Sequence, residues 1–413
     1  MSAHATQEPT IGEDKTVTVP SADTGDPGAK SVLEQVARQA HAANRIALDT
    51  EFMGEGRYRT LLCLIQLAVS DGQGGERIEI VDPLDGPLQG QPLADVLADP
   101  RIEVVVHAGR QDIALLRRTL RCEVNNIFDT QVAAGFLGMP AQSSYDTLLA
   151  EMLGVRLAKS ASFTRWDARP LSAEQLSYAR EDVVHLTALA AELERRLGET
   201  GRLQWAREEC EFLEKVSDER NLEAIFARLP RVRGMSAPSQ NVARELVAWR
   251  EGTAQERDKP VQSVLGDATL VEIAKRKPTS ARQLEDIRGV TQNSLRKRGS
   301  ELLEAVQRGL QASHEALGSD PRPPQPRPDD VPLVALCEAL VRARAREAGL
   351  AYELLAARAD LQAIVIAQRA GQRADVRTLR GWRAELVGNE LLELLGGRIS
   401  LSVKDRRLQV SSS

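Results

Sequence analysis

Residues 46–52 read Ile-Ala-Leu-Asp-Thr-Glu-Phe, and this stretch limits what the chain can fold into more than any other. Ile46 and Leu48 alternate with small or polar neighbours, the pattern of a strand entering a β-sheet. Side chains two apart on a strand share a face, so Asp49 and Glu51 project together. Two neighbouring carboxylates repel unless positive charge lies between them. Hard divalent cations such as Mg²⁺ and Mn²⁺ prefer carboxylate oxygen and meet that need. Taken alone, the pair also fits an exposed strand end with two solvated acids. The rest of the chain decides between these readings.

A chain of 413 residues is too long for one core and implies two or three domains. No apolar run approaches a membrane span, and the first 30 residues lack the apolar segment of a secretory signal. Residues 1–30, rich in Thr, Ala, Asp, Gly and Pro, read as a disordered tail. Cys63, Cys122, Cys210 and Cys337 are scattered without metal-type spacing, so a reducing, cytoplasmic setting is expected. The net charge of −5 gives no global signal for nucleic acid, so any such binding must come from local basic patches.

From residue 31 to about 200, strand-like and helix-like signals alternate. A helix opens at Ser31, which can cap it. Strands follow at 45–51, 63–69 and 77–81, close enough for an antiparallel meander. A helix at 93–97, a buried strand at 103–106 and a helix at 110–120 complete a mixed sheet flanked by helices. Asp112 falls in the first turn of that helix, where the helix dipole tolerates a carboxylate; this is also its plainest explanation. Residues 128–138 read as a helix capped by Asp129 and closed by Gly138. The polar loop 159–171 carries Phe163, Trp166 and Arg169, which suit base stacking and phosphate contact, or in the case of Trp166 a packing anchor. Ser172 and Gln175 form a capping box, and Tyr178 and Asp182 share one face of the helix that follows. Four acids (Asp49, Glu51, Asp112 and Asp182) thus stand at ends of elements, and gathering them in one site requires more than one cation.

The ordered motifs resemble ribonuclease D, of the exonuclease superfamily named for four acidic residues. Asp-Thr-Glu at 49–51 matches the first motif, His-Ala-Gly-Arg-Gln-Asp at 107–112 the second, and Tyr-Ala-Arg-Glu-Asp at 178–182 the third in its tyrosine form. Leu-Ile-Gln-Leu at 64–67, Phe-Asp-Thr-Gln at 128–131 and Trp-Asp-Ala-Arg-Pro-Leu-Ser at 166–172 add to the match. The resemblance implies a ribonuclease H-like α/β exonuclease domain over 31–230. It implies two divalent ions, Mg²⁺ or Mn²⁺, with Asp49, Glu51 and Asp182 on the first. Asp49 would bridge to the second, and Asp112 would act mostly through water. Tyr178 would orient the attacking water, and 5′-monophosphates would leave from the 3′ end. Phe52 and Met53 pack either on the terminal base or in the core. His107 and His185 are expected to be structural.

Beyond residue 230 the pattern is all-helical. Trp249-Arg250, Lys259-Pro260 and Ile287-Arg288-Gly289, in that order, resemble the HRDC module over 237–312. Its tight basic triplets, Lys275, Arg276, Lys277 and Arg296, Lys297, Arg298, are either solvated faces or contacts to phosphate backbones. A proline-rich linker spans 313–330, and 331–405 reads as a divergent second HRDC-like helical domain. The resemblance as a whole implies a 3′→5′ exoribonuclease acting on RNA with a free 3′ end, transfer RNA precursors above all, and no membrane partner. A DNA exonuclease of the same fold and a catalytically idle RNA-binding protein are the rival readings.

Overall fold

The acid-bearing strand lies at the centre of its sheet. A computed structural model describes residues 27–157, 165–313 and 327–412. Phe163, residues 1–26 of the expected tail and residues 314–326 of the expected linker lie outside the described residues. The first helix, α1 (Pro27–Ala43), begins four residues before the position read from sequence, so Ser31 lies inside it rather than capping it. Proline suits a first helical position, where its missing N–H is not needed.

Strands β1 (Arg45–Met53), β2 (Leu61–Ser70) and β3 (Glu76–Val81) form the expected antiparallel meander. After α2 (Gln91–Ala98), β4 (Glu103–Val106) returns parallel to β1. Then α3 (Arg110–Leu120) leads to β5 (Ile127–Asp129), parallel to β4. Among the described residues the order is β3-β2-β1-β4-β5. The expected helix at 128–138 is thereby corrected. Phe128 and Asp129 complete β5 by pairing with Val105 and Val106, and helix α4 spans only Thr130–Gly135. A three-residue strand is too short to show a period of its own. Helices α5 (Tyr145–Leu153), α6 (Ala173–Glu181), α7 (Leu186–Glu199) and α8 (Leu203–Cys210) complete this layer.

Each face of the sheet has its own core. Ala47, Ala68 and Val105 pack with Phe128, Leu148, Leu186 and Leu189 on one side. Ile46, Leu48, Leu67 and Val104 pack with Leu33, Leu97, Ile113 and Leu116 on the other. A fully buried Leu or Ile contributes roughly 1.5–3 kcal/mol. Summed over both faces, that burial holds the strands in place against the repulsion of the acids at their ends.

The next unit has a separate core of Val242, Leu246, Leu270, Ile273, Leu284 and Val306. It is built from α9 (Leu222–Ala227), α10 (Ala237–Glu256), α11 (Val261–Val264), α12 (Asp267–Arg276), α13 (Ala281–Glu285) and α14 (Gln292–Gln311). Gly309 lets α14 lie directly on the Val242 backbone, where a Cβ would collide. The unit is tied to the segment that leaves β1. Tyr58 donates its hydroxyl to Glu251 at 3.0 Å and its N–H to Asp258 at 3.1 Å, while Arg57 pairs with Asp258 at 2.6 Å.

Helices α15 (Asp330–Ala348), α16 (Tyr352–Leu355), α17 (Arg358–Arg369), α18 (Gly381–Arg383) and α19 (Asn389–Leu395) are followed by a hairpin of β6 (Ile399–Lys404) and β7 (Arg407–Ser412). Val334, Cys337, Leu340 and Leu391 belong to the same core as Phe128 and Leu186. Trp382 stacks on Trp205 with ring centroids 5.0 Å apart, and meets Phe136 edge-on. Arg202 donates to the carbonyls of Phe136 (2.9 Å) and Gly349 (3.1 Å). Residues 331–405 are mainly helical, as expected, and share a core with the exonuclease layer. They pack on the exonuclease layer, and Trp382 serves that joint. Among the described residues no helix is long and apolar enough to cross a membrane.

Candidate active site

Three of the four predicted acids meet at the end of β1. Asp49 and Glu51 come from alternate positions of the strand, and Asp182 caps the C-terminus of α6. Carboxylate oxygens of these three lie within 4.8 Å of one another. Such a set of hard oxygen donors fits a divalent cation. Electrostatics points the same way. Loss of water around the Asp49 carboxyl, then the charges of Asp112, Asp182 and Glu51, push its pKa well above the usual carboxylate range. Burial, then Asp182 and Asp112, lift Glu51 to about 8. Burial and then Glu181 lift Asp182 to about 7. Carboxyls that resist ionisation together are stabilised as anions by a shared cation.

Asp112, the fourth acid, is 7% exposed and stands outside that trio, in the first turn of α3. It accepts a hydrogen bond from the Thr50 hydroxyl. Burial raises its pKa while the Thr50 hydrogen bond opposes the rise. Thr50 projects to the opposite face of β1 from Asp49 and Glu51, so one strand positions acids on both of its sides.

The β4–α3 turn is fixed by Asp129, which the sequence marked as a helix cap within the Phe-Asp-Thr-Gln match. Its carboxylate caps α4 through Gln131 N–H (2.8 Å) and Val132 N–H (3.3 Å). It also accepts from the N–H groups of Ala108 (3.1 Å) and Gly109 (2.9 Å). Ala108 is held at φ 53°, a left-handed conformation unfavourable for alanine, and these bonds stabilise it. His107 bonds Thr130 Oγ1 at 2.9 Å, and burial lowers its pKa to about 4, so it is neutral and structural. Burial also lowers the pKa of His185.

Tyr178 lies one turn before Asp182 on α6. Burial, then the charges of Asp182, Glu51 and Asp49, push its phenol up to about 12. The ring centroids of Tyr178 and Trp166 are 6.0 Å apart.

Two expected substrate contacts are corrected. Trp166 is 4% exposed within the small core of Cys63, Leu64 and Ala179, which leaves no free face for a base. Arg169 grips Asp82 with Nε (2.5 Å) and Nη2 (2.6 Å) and donates to the carbonyls of Cys63 and Trp166. Together they anchor the loop that delivers α6. Phe52 and Met53 are partly exposed and pack their inner edges on the cores below. In the helical unit, Lys275, Arg276, Arg296 and Lys297 are exposed. Arg276 is paired with Glu272 at 2.6 Å, Lys277 donates to Ser239, and the half-buried Arg298 donates to Val264 O.

Sequence reasoning did not find Thr50, the Asp129 hydrogen bonds to the 107–109 turn, or the Tyr58–Glu251 tie. Phe-Asp-Thr-Gln was a usable signal for Asp129; nothing in the sequence links Tyr58 to a residue 193 positions away.

Fold and site together define a 3′→5′ exonuclease, and the 3'-5' exonuclease family profile matches residues 28–198. The HRDC domain profile matches residues 239–306. Ribonuclease D of Gluconacetobacter diazotrophicus is 35% identical over 386 residues, covering 92% of this chain and 93% of that one. Ribonuclease D of Acidiphilium cryptum is 33% identical, covering 88% and 91%. The crystal structure of Escherichia coli RNase D, an exoribonuclease involved in structured RNA processing, matches with a TM-score of 0.72 at 27% identity, covering 89% and 96%. The chain belongs to the ribonuclease D family and is a 3′→5′ exoribonuclease.

Proposed function

We propose that this chain trims the 3′ ends of structured stable RNAs, transfer RNA precursors in particular, releasing 5′-nucleoside monophosphates at a site that takes two divalent ions, Mg²⁺ or Mn²⁺. The observation that carries the chemistry is the 4.8 Å cluster of Asp49, Glu51 and Asp182 with Tyr178 beside it. Asp49, Glu51 and Asp182 would hold one ion; Asp49 would share the second with Asp112. When bound, such ions stabilise charge on the attacking and departing oxygens of a phosphodiester. Tyr178 remains protonated at neutral pH and orients the attacking water through its hydroxyl. Phe52 and Met53, partly exposed just past Glu51, are placed along the strand to meet the terminal base. The E. coli relative's part in structured RNA processing supports the substrate class. A cytoplasmic setting accords with the free thiols of Cys63, Cys122, Cys210 and Cys337.

The decisive experiment follows a 5′-labelled transfer RNA precursor with the full chain. A ladder shortening from the 3′ end is expected with Mg²⁺ or Mn²⁺, none in excess chelator, and slower digestion of a DNA of the same sequence. Internal cleavage, or digestion that survives the chelator, refutes the reading.

The HRDC unit supplies grip. Lys275 and Lys277 line one groove with Arg231, Ser236 and Ser239, a setting suited to backbone phosphate. Replacing Lys275, Arg296 and Lys297 by Ala should weaken RNA binding. It should also flatten log Kd against log salt by about 2, since each single-strand contact contributes about 0.7. Turnover at saturating RNA should change little. An unchanged salt slope counts against these contacts.

A further inference from the structure

Strand β2 is apolar almost throughout, and Gln66 interrupts it at its most protected point. The residue is 0% exposed, and among the described residues neither Oε1 nor Nε2 has a hydrogen-bond partner. Buried amides are ordinarily hydrogen-bonded, so an unmatched one in the centre of a sheet demands a reason. Packing does not give one, because Leu or Met would fill the same volume without desolvating an amide.

The strand register supplies the reason. Gln66 lies opposite Asp49 on β1 and opposite Ile80 on β3. Directly opposed residues of antiparallel strands project to one face with Cβ atoms about 4.5–5.5 Å apart. The cross-strand neighbours of the amide are therefore one aliphatic side chain and the first acid of the active site. A carboxylate shared between two cations must present its oxygens in a set orientation, and a donor from the adjacent strand fixes that orientation.

We propose that Gln66 is a positioning residue for Asp49: its Nε2 donates to the Asp49 carboxylate when the acid cluster holds its cations, and so fixes how Asp49 is presented to them. The proposal rests on the reading of Asp49 as a cation ligand. The amide touches neither RNA nor the reacting atoms and acts only through Asp49.

The test uses the full chain with Gln66→Met and Gln66→Leu, which fill the same space without a donor. Melting temperatures are followed without metal and across a Mn²⁺ titration, with Asp49→Asn in parallel. Loss of a group that orients a metal ligand typically weakens metal affinity or activity 10–100-fold. The Mn²⁺ concentration giving half of the thermal shift should rise by that factor, and the midpoint for RNA cleavage should rise with it. KM for RNA should hold. The metal-free melting temperature should stay level or rise, because an unmatched buried amide has gone.

A packing role gives the opposite signs. A fall in the metal-free melting temperature with an unmoved Mn²⁺ midpoint overturns the proposal, as does an unmoved midpoint alone. If Asp49→Asn also leaves the Mn²⁺ response intact, the failure lies with the cation site itself and not with Gln66.

Discussion

Asn at position 49 is expected to lower the rate of 3′-end digestion by on the order of 10³-fold or more while the protein stays folded. Removing one preorganised electrostatic group from an active site typically costs 10²–10³ in rate. Asp49 should exceed that, because the charges of Asp112, Asp182 and Glu51 all act on it. Asn keeps the shape and one oxygen but lacks the charge that a shared cation needs. The stability of the metal-free protein should move the other way, since the substitution removes one of several like charges. The pH dependence follows from the raised carboxyls. Glu51 rises from 4.5 to about 8 and Asp182 from 3.8 to about 7, so across that window the folded state holds protons that the unfolded state has released. Metal-free stability must then fall as pH rises from about 4 to about 8, and more shallowly in Asp49→Asn. The measurements are gel-resolved single-turnover digestion, and melting curves in chelator from pH 5 to pH 8.5. Near-normal digestion by a folded Asp49→Asn protein would remove this residue from the site. A metal-free stability that climbs across the window would remove the repulsion.

The sequence and the structure diverge where contacts are long-range. The strand bearing Asp49 and Glu51, the meander and the capping box at Ser172 were legible because period and cap chemistry are local. The short strand β5 was hidden inside a helix reading because pairing with β4 is what makes it a strand. Trp166 and Arg169 looked like ligand contacts because a polar loop is composed like a binding loop, and only the fold reveals Asp82 and the small core beneath. The C-terminal block shows the same limit on a larger scale. Its helical periodicity was readable, but the joint between Trp382 and Trp205 belongs to two segments far apart in the chain. The convergence of Asp182 with Asp49 is of this kind too. Spacing alone gave a Tyr–Asp pair on one helix face; what brings that face to β1 is the packing of Ala179 and Val183 beneath it.

Deleting one hydroxyl should separate the two roles open to Tyr178. Tyr178→Phe keeps the ring, its contact with Trp166 and the packing of α6. If the ring alone mattered, cleavage would be nearly unchanged. Tyr178, however, stands one turn before Asp182 on α6, and the charges of Asp182, Glu51 and Asp49 all raise its pKa. A phenol pushed up to about 12 is almost wholly protonated at neutral pH, so it serves as a fixed hydrogen-bonding group for the attacking water rather than as a base that ionises. Losing a positioned proton-transfer group costs typically 10²–10⁴-fold, about 3–5 kcal/mol at 1.36 kcal/mol per factor of ten. The cleavage step should slow by that amount, while RNA affinity measured in Ca²⁺ and the Mn²⁺ midpoint stay where they are, because the acids and the exposed cations are untouched. The fall should be the same at pH 7 and pH 9, since the phenol does not titrate between them. Equal single-turnover rates for the two proteins would make Tyr178 a packing residue. A large loss of affinity in Ca²⁺ would instead place its hydroxyl on the RNA.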